Sequence, residues 1–96
     1  MRRILIFDIP NIGFARWAKK RLELLGYRVI ETPYKYDIAI ALYAERLGAI
    51  VVTSDKRFPY RKKIVLPQKF VTNSGVIGKP KYEKLYTILM TELSKV

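Results

Sequence analysis

Three aspartates are the residues of this chain best suited to chemistry. Asp8, Asp37 and Asp55 are the only ones in 96 residues. Asp8 closes the apolar run Arg3-Ile4-Leu5-Ile6-Phe7, and Asp55 closes Ala49-Ile50-Val51-Val52-Thr53-Ser54. Asp37 stands where a helical apolar pattern begins. In a parallel α/β sheet, strand ends and helix starts fall on one edge, so the three carboxylates are expected there together. Carboxylates gathered in that way repel unless a cation joins them. The chain has neither histidine nor cysteine, so a metal would find oxygen donors only, which suits Mg²⁺ or Mn²⁺. Such an ion lowers the pKa of a bound water and neutralises charge building on a phosphate oxygen. Asn11, Thr53 and Ser54 stand close by in sequence as supporting polar residues. Each acid also has a plainer role: Asp37 as a helix N-cap, Asp8 and Asp55 as loop residues satisfying backbone amides.

A basic segment follows Asp55 at once. Lys56, Arg57, Arg61, Lys62 and Lys63 are expected to meet backbone phosphates, and Tyr60 to stack on an unpaired base. Phe58 is expected to turn into the core. Arg16, with Lys19, Lys20 and Arg21, either extends this track along the first helix or forms a solvated face. In all, 19 Lys and Arg stand against 8 Asp and Glu, a net charge of +11. That field favours polyanions, nucleic acid before an anionic membrane surface.

Half of the residues are apolar, enough for one core in one α/β domain over residues 1–96. The longest apolar run, Ile38 to Ala44, is too short to cross a bilayer. The opening run breaks at Asp8 and reads as a strand rather than a signal peptide, so a cytoplasmic location is expected.

Hydrophobic period places the elements. Arg3–Phe7 reads as strand β1, and Ile12–Leu25 as a helix entered through Asn11 and stopped by Gly26. Tyr27–Glu31 reads as β2. Asp37–Leu47 fits helical spacing through Ile40, Tyr43, Ala44 and Leu47, with Gly48 as its stop. Ala49–Thr53 reads as β3 and Ile64–Leu66 as β4. Phe70-Val71 and Val76-Ile77 flank a turn at Asn73-Ser74-Gly75, as in an edge hairpin. Tyr82, Leu85, Tyr86, Leu89 and Leu93 trace a last helix. This order predicts a three-layer α/β/α domain with an open, mainly parallel sheet of strand order 2-1-3-4. Asp8 and Asp55 then flank the crevice between the ends of β1 and β3.

Asp8 after β1, Ala15-Arg16-Trp17, Leu24-Leu25-Gly26-Tyr27, Asp37 at a helix start, and Gly48 through Phe58 with its Thr53-Ser54-Asp55-Lys56-Arg57 core resemble the short PIN-like nuclease domains. These include the Mut-seven C-terminal RNase family and toxin-like PIN proteins. The resemblance covers about residues 3–66. It implies a metal-dependent endoribonuclease in which Asp8, Asp37 and Asp55 hold Mg²⁺ or Mn²⁺ and Thr53 matches the family's hydroxyl residue. By analogy alone it also brings an antitoxin partner, and it leaves a homodimer open. Two positions depart from the family pattern. Arg57 stands where relatives often carry a further acid, and Ile9-Pro10 follows Asp8 without the neighbouring acid. A non-catalytic nucleic-acid-binding or regulatory module on the same fold is the competing expectation. A phosphotransfer domain using Asp8 is disfavoured, because Pro10 stands where that pattern wants a second aspartate.

Overall fold

The computed structural model describes residues 3–68, 70–71, 77–78 and 81–96. Its central strand, β1 (Arg3–Phe7), pairs in parallel with β2 (Tyr27–Glu31) on one side and β3 (Ile50–Thr53) on the other. β4 (Lys63–Val65) lies parallel to β3 at the far edge. The order β2-β1-β3-β4 is the expected one. Helices α1 (Ile12–Leu24), α2 (Asp37–Leu47) and α3 (Tyr82–Leu93) cover the sheet.

The pleat sorts the apolar residues into two cores. Leu5, Phe7, Ile50, Val52 and Ile64 meet α1 and α3 through Phe14, Ala18, Leu22, Leu85 and Leu89. Ile6 and Val51 face the other way, toward Ile40, Ala41 and Ala44 of α2. Strands β1 and β3 are thus buried on both faces. That is why they read as continuous apolar runs rather than as alternating ones. Gly48 ends α2 at φ 65°, and the amides of Gly48 and Ala49 satisfy the carbonyls of Glu45 and Ala44. This left-handed cap turns the chain straight into β3.

Four details differ from expectation. α1 stops one residue early, at Leu24, and β3 starts one late. β4 is shifted back by one residue, although the Leu66 amide still donates to the Thr53 carbonyl at 2.7 Å. β5 (Phe70–Val71) and β6 (Ile77–Gly78) pair antiparallel as a separate two-stranded sheet, not as an extension of the main edge. Pro67 offers no N–H to carry the β4 ladder further. The turn at residues 73–75, and Val76, lie outside the described residues.

The largest consequence concerns the basic segment. Because β4 runs parallel to β3, residues 54–62 must travel back the whole length of the strand before β4 can start. They do so without a helix, over the α2 face. Phe58, 2% exposed, is buried with Ile6, Ile40 and Val51, as expected. The Tyr60 hydroxyl donates to the Ala49 carbonyl at 2.8 Å, and the Val51 amide donates to the Lys62 carbonyl at 2.9 Å. The segment leaves the aspartate edge and finishes at the opposite one. Among the described residues, no helix is long and apolar enough to cross a membrane.

Removing the Phe58 ring should empty this pin: Phe58→Ala is expected to cost about 3–5 kcal/mol in urea denaturation. Gly48→Ala, which forces a side chain into the left-handed region, should cost about 1–2 kcal/mol. An unchanged midpoint for Phe58→Ala would show that the connection is not anchored in the core.

Candidate functional site

The crevice between the C-terminal ends of β1 and β3 holds Asp8. Its backbone amide extends the sheet to the Val52 carbonyl at 3.2 Å, and its side chain is 6% exposed. A carboxylate this deep needs donors, and two are supplied. Thr53 Oγ1, fully buried on the neighbouring strand end, donates to Oδ2 at 2.6 Å. Asn11 Nδ2 donates to Oδ1 at 2.6 Å. These are the short lengths of charge-assisted bonds.

Asn11 reaches Asp8 because a single 3₁₀ turn, Ile9–Asn11, intervenes before α1, closed by the Asn11 amide on the Asp8 carbonyl at 2.9 Å. Asn11 stands at the N-cap position of α1, but its side chain makes no capping bond there. It turns to Asp8 and to Ser54 Oγ, 3.2 Å away. The Asp55 amide in turn donates to Thr53 Oγ1 at 3.1 Å, so the three supporting residues named from the sequence form one network.

Asp37 is the first residue of α2 rather than its cap. Tyr36 holds the N-cap position and makes no side-chain capping bond. Asp55 is exposed, and its Oδ1 accepts the Arg57 amide at 2.8 Å, opening the basic segment with a local turn. Asp8, Asp37 and Asp55 nevertheless line one cleft of about 390 Å³, together with Ser54, Lys35 and Gln68. Lys35 and Gln68 were not singled out from the sequence. Both lie on segments just past strand ends β2 and β4, and the edge rule that found the aspartates applies equally to them.

The electrostatics follow from this geometry. Burial pushes the Asp8 carboxyl above its ordinary value, against the pull of the Thr53 and Asn11 donors, and the charges of Asp37 and Asp55 add to the rise. The three acids do not converge on one point, however. Among the described residues, no group of three or more acidic, histidine or cysteine side chains is placed to hold one ion. Both Asp8 oxygens already accept a bond, and one Asp55 oxygen faces a backbone amide.

The expected phosphate surface is redistributed. Lys56 and Arg57 remain exposed beside Asp55. Tyr60 is half-buried against the α2-side core and donates its hydroxyl to the Ala49 carbonyl. Lys62 Nζ lies 3.5 Å from the Gly48 carbonyl, and Arg61 precedes it at the far edge. Lys63 Nζ donates to the Phe58 carbonyl at 2.8 Å. The cause is the parallel crossover, which carries these four residues away from the aspartates. Arg16 forms a paired contact with Glu31, Nη2 to Oε1 at 2.9 Å. Arg21 lies over the Trp17 ring at 4.0 Å.

No family model, curated protein or solved structure matches this chain.

Two outcomes test the network. A carboxyl whose folded pKa is raised contributes stability below its unfolded value, and loses it as pH rises through the folded value. Relative to Asp8→Asn, the wild type should therefore lose stability as pH climbs from 3.8 upward, then run parallel above the folded value; urea midpoints across that range read it. Thr53→Val strips one donor from the charged group and should cost about 2 kcal/mol near neutral pH. It should also raise the Asp8 pKa further, as followed by carboxyl NMR.

Proposed function

We propose that this chain is a PIN-like endoribonuclease, dependent on Mg²⁺ or Mn²⁺, that hydrolyses RNA phosphodiester bonds at the aspartate cleft. The observation that carries the reading is the meeting of all three aspartates at one cleft on the C-terminal edge of a parallel sheet. That is the edge where open α/β sheets bind their ligands.

The donor set fits a hard divalent cation. It is all oxygen, each Asp8 oxygen keeps a second lone pair, and positive charge would favour the carboxylate form that burial, aided by the charges of Asp37 and Asp55, disfavours. Mg²⁺ retains several waters and is satisfied by one or two carboxylates, so a cleft in which three acids do not converge still suits it. Of Asp8, Asp37 and Asp55, one or two would hold the ion directly and the rest through its waters; when bound the ion supplies an activated water and charge neutralisation at the phosphate. Thr53 and Asn11 orient Asp8. Lys35 within the cleft, and Lys56 and Arg57 at its rim, position the phosphodiester backbone. A cytoplasmic location and a homodimer go with this reading, and an antitoxin partner belongs to it by family analogy alone.

A second reading, a nucleic-acid-binding or regulatory module without catalysis, is favoured by one specific arrangement. Asp55 uses an oxygen to hold its own turn, and Arg57 occupies the place of a further acid. Asp8, Thr53 and Asn11 would then be a structural tie between strand ends.

Labelled single-stranded RNA incubated with Mn²⁺ separates the two. The first reading expects cleavage that disappears with a chelator and in Asp55→Asn. Asn11→Ala, which frees the Asp8 carboxylate to rotate, should lower the rate by about 10–100-fold. Cleavage that survives both chelator and Asp55→Asn sinks the metal mechanism, and binding without cleavage in every condition supports the second reading.

A further inference from the structure

The outer face of α2 carries an apolar surface that neither core uses. Ile38 and Leu42 are 63% and 62% exposed, although they sit one helical turn apart on a helix otherwise committed to the core. Beside them, Tyr34 from the loop after β2 meets Tyr43 of α2 edge-to-face, ring centroids 5.4 Å apart. With Ala39, Leu42 and Arg46, these rings line a shallow notch of about 220 Å³.

Arg46 lines that notch, and two more cations stand on neighbouring elements, Lys35 on the loop that carries Tyr34 and Arg28 on β2. Lys35, the neighbour of Tyr34, stands in the aspartate cleft. Arg46 closes the notch at the other end of the helix. Arg28 on β2 is in register with Ile4, whose side chain packs on the α2-side core, so Arg28 rises from the same face of the sheet. Among the described residues, none of the three is paired with a carboxylate. The nearby acid Glu45 lies toward Tyr60, whose hydroxyl pKa it helps to raise after burial.

We infer that this notch is a nucleobase subsite for single-stranded nucleic acid, with Tyr34, Tyr43 and Leu42 receiving a base and Lys35, Arg46 and Arg28 receiving the flanking phosphates. The inference rests on the nucleic-acid part of the reading above and adds where the strand lies. Charge decides the occupant. A second copy of the chain would bring another +11 to a surface already rimmed by cations. A polyanion with flat apolar rings complements both the rim and the floor. Base stacking on aromatic side chains tolerates any sequence, because every base has a π-face. Helix α2 spans about 16 Å, so a strand leaving the cleft along it has room for a short run of nucleotides. Tyr34 and Arg46, not Tyr60 and Lys62, are then the aromatic and basic contacts beyond the cleft.

The test is fluorescence anisotropy with a labelled oligouridylate of about ten nucleotides, enough to cross one module. It uses the full chain in the Asp55→Asn background with chelator present, so that cleavage does not intervene. Tyr34→Ala and Arg46→Gln change exposed side chains, and urea melts confirm that each variant folds. Each should weaken binding about five- to tenfold, and Arg46→Gln should lower the slope of log affinity against log salt by about one. Lys81→Gln, at the start of α3 on the other side of the sheet, should change affinity less than about twofold.

Losses in Lys81→Gln equal to those in Arg46→Gln would reduce the effect to net charge and overturn the subsite. So would undiminished binding in Tyr34→Ala. In either case RNA binding itself survives, and so does the ribonuclease reading. Failure of the parent protein to bind the oligonucleotide at low salt would overturn both. Arg46-dependent binding to phosphatidylserine vesicles, tighter than to RNA, would reassign the surface and overturn the subsite.

Discussion

One hydrogen bond, from Thr53 Oγ1 to Asp8 Oδ2 at 2.6 Å, ties together the two strand ends on which the site is built. A carboxylate buried at a sheet edge loses far more hydration than a neutral group would, so its neighbours are constrained to be donors. Thr53 meets that demand from β3, and Asn11 meets it from the turn that follows β1. Meeting it sets other features in turn. The 3₁₀ turn must be tight enough to bring Asn11 back, and α1 begins where that turn ends. Thr53, by also accepting the Asp55 amide, aims the start of the next connection. A single desolvation problem thus organises residues from four segments of chain.

The scaffold was largely readable because its signals are physical and local. Double-sided burial makes β1 and β3 continuous β-branched runs, glycines at positive φ stop the turns after α1 and α2, and right-handed crossovers leave little freedom in strand order. The placement of Asp8, Asp37 and Asp55 at one edge followed from topology alone. What was not legible depended on tertiary partners. Asn11 looked like a cap because asparagine caps helices, yet the buried carboxylate three residues earlier outcompetes the helix amides for its side chain. Phe70-Val71 and Ile77-Gly78 pair with each other, and nothing in a short apolar pair tells which sheet it joins.

Residues 56–63 follow Asp55 in sequence, yet most of them part from it in space. In a parallel pair the connection must cross the sheet, so Tyr60 and Lys62 end against Ala49 and Gly48 at the opposite edge. The same rule that gathers strand-end aspartates necessarily disperses a connection that links two of those strands. Lys35 escaped notice for the complementary reason: it is isolated in sequence, but the loop after β2 delivers it to the cleft.

This separation changes what the net charge can do. A five-residue strand is about 16 Å long, roughly twice the screening length of about 8 Å at physiological salt. Cations at the far edge therefore draw polyanions toward the molecule without neutralising the acids in the cleft. Burial is the main cause of the upward shift at Asp8, and the charges of Asp37 and Asp55 add to it despite +11 overall. Phosphate entering such a cleft meets three carboxylates and one lysine among its lining residues. Under the proposed ribonuclease reading, electrostatics alone would hold a nucleic-acid strand outside, along α2 and the basic edge, unless a divalent cation reversed the sign of the cleft. Binding and cleavage would then separate by chemistry as well as by place, the exposed cations and rings serving the first and a metal-loaded cleft the second.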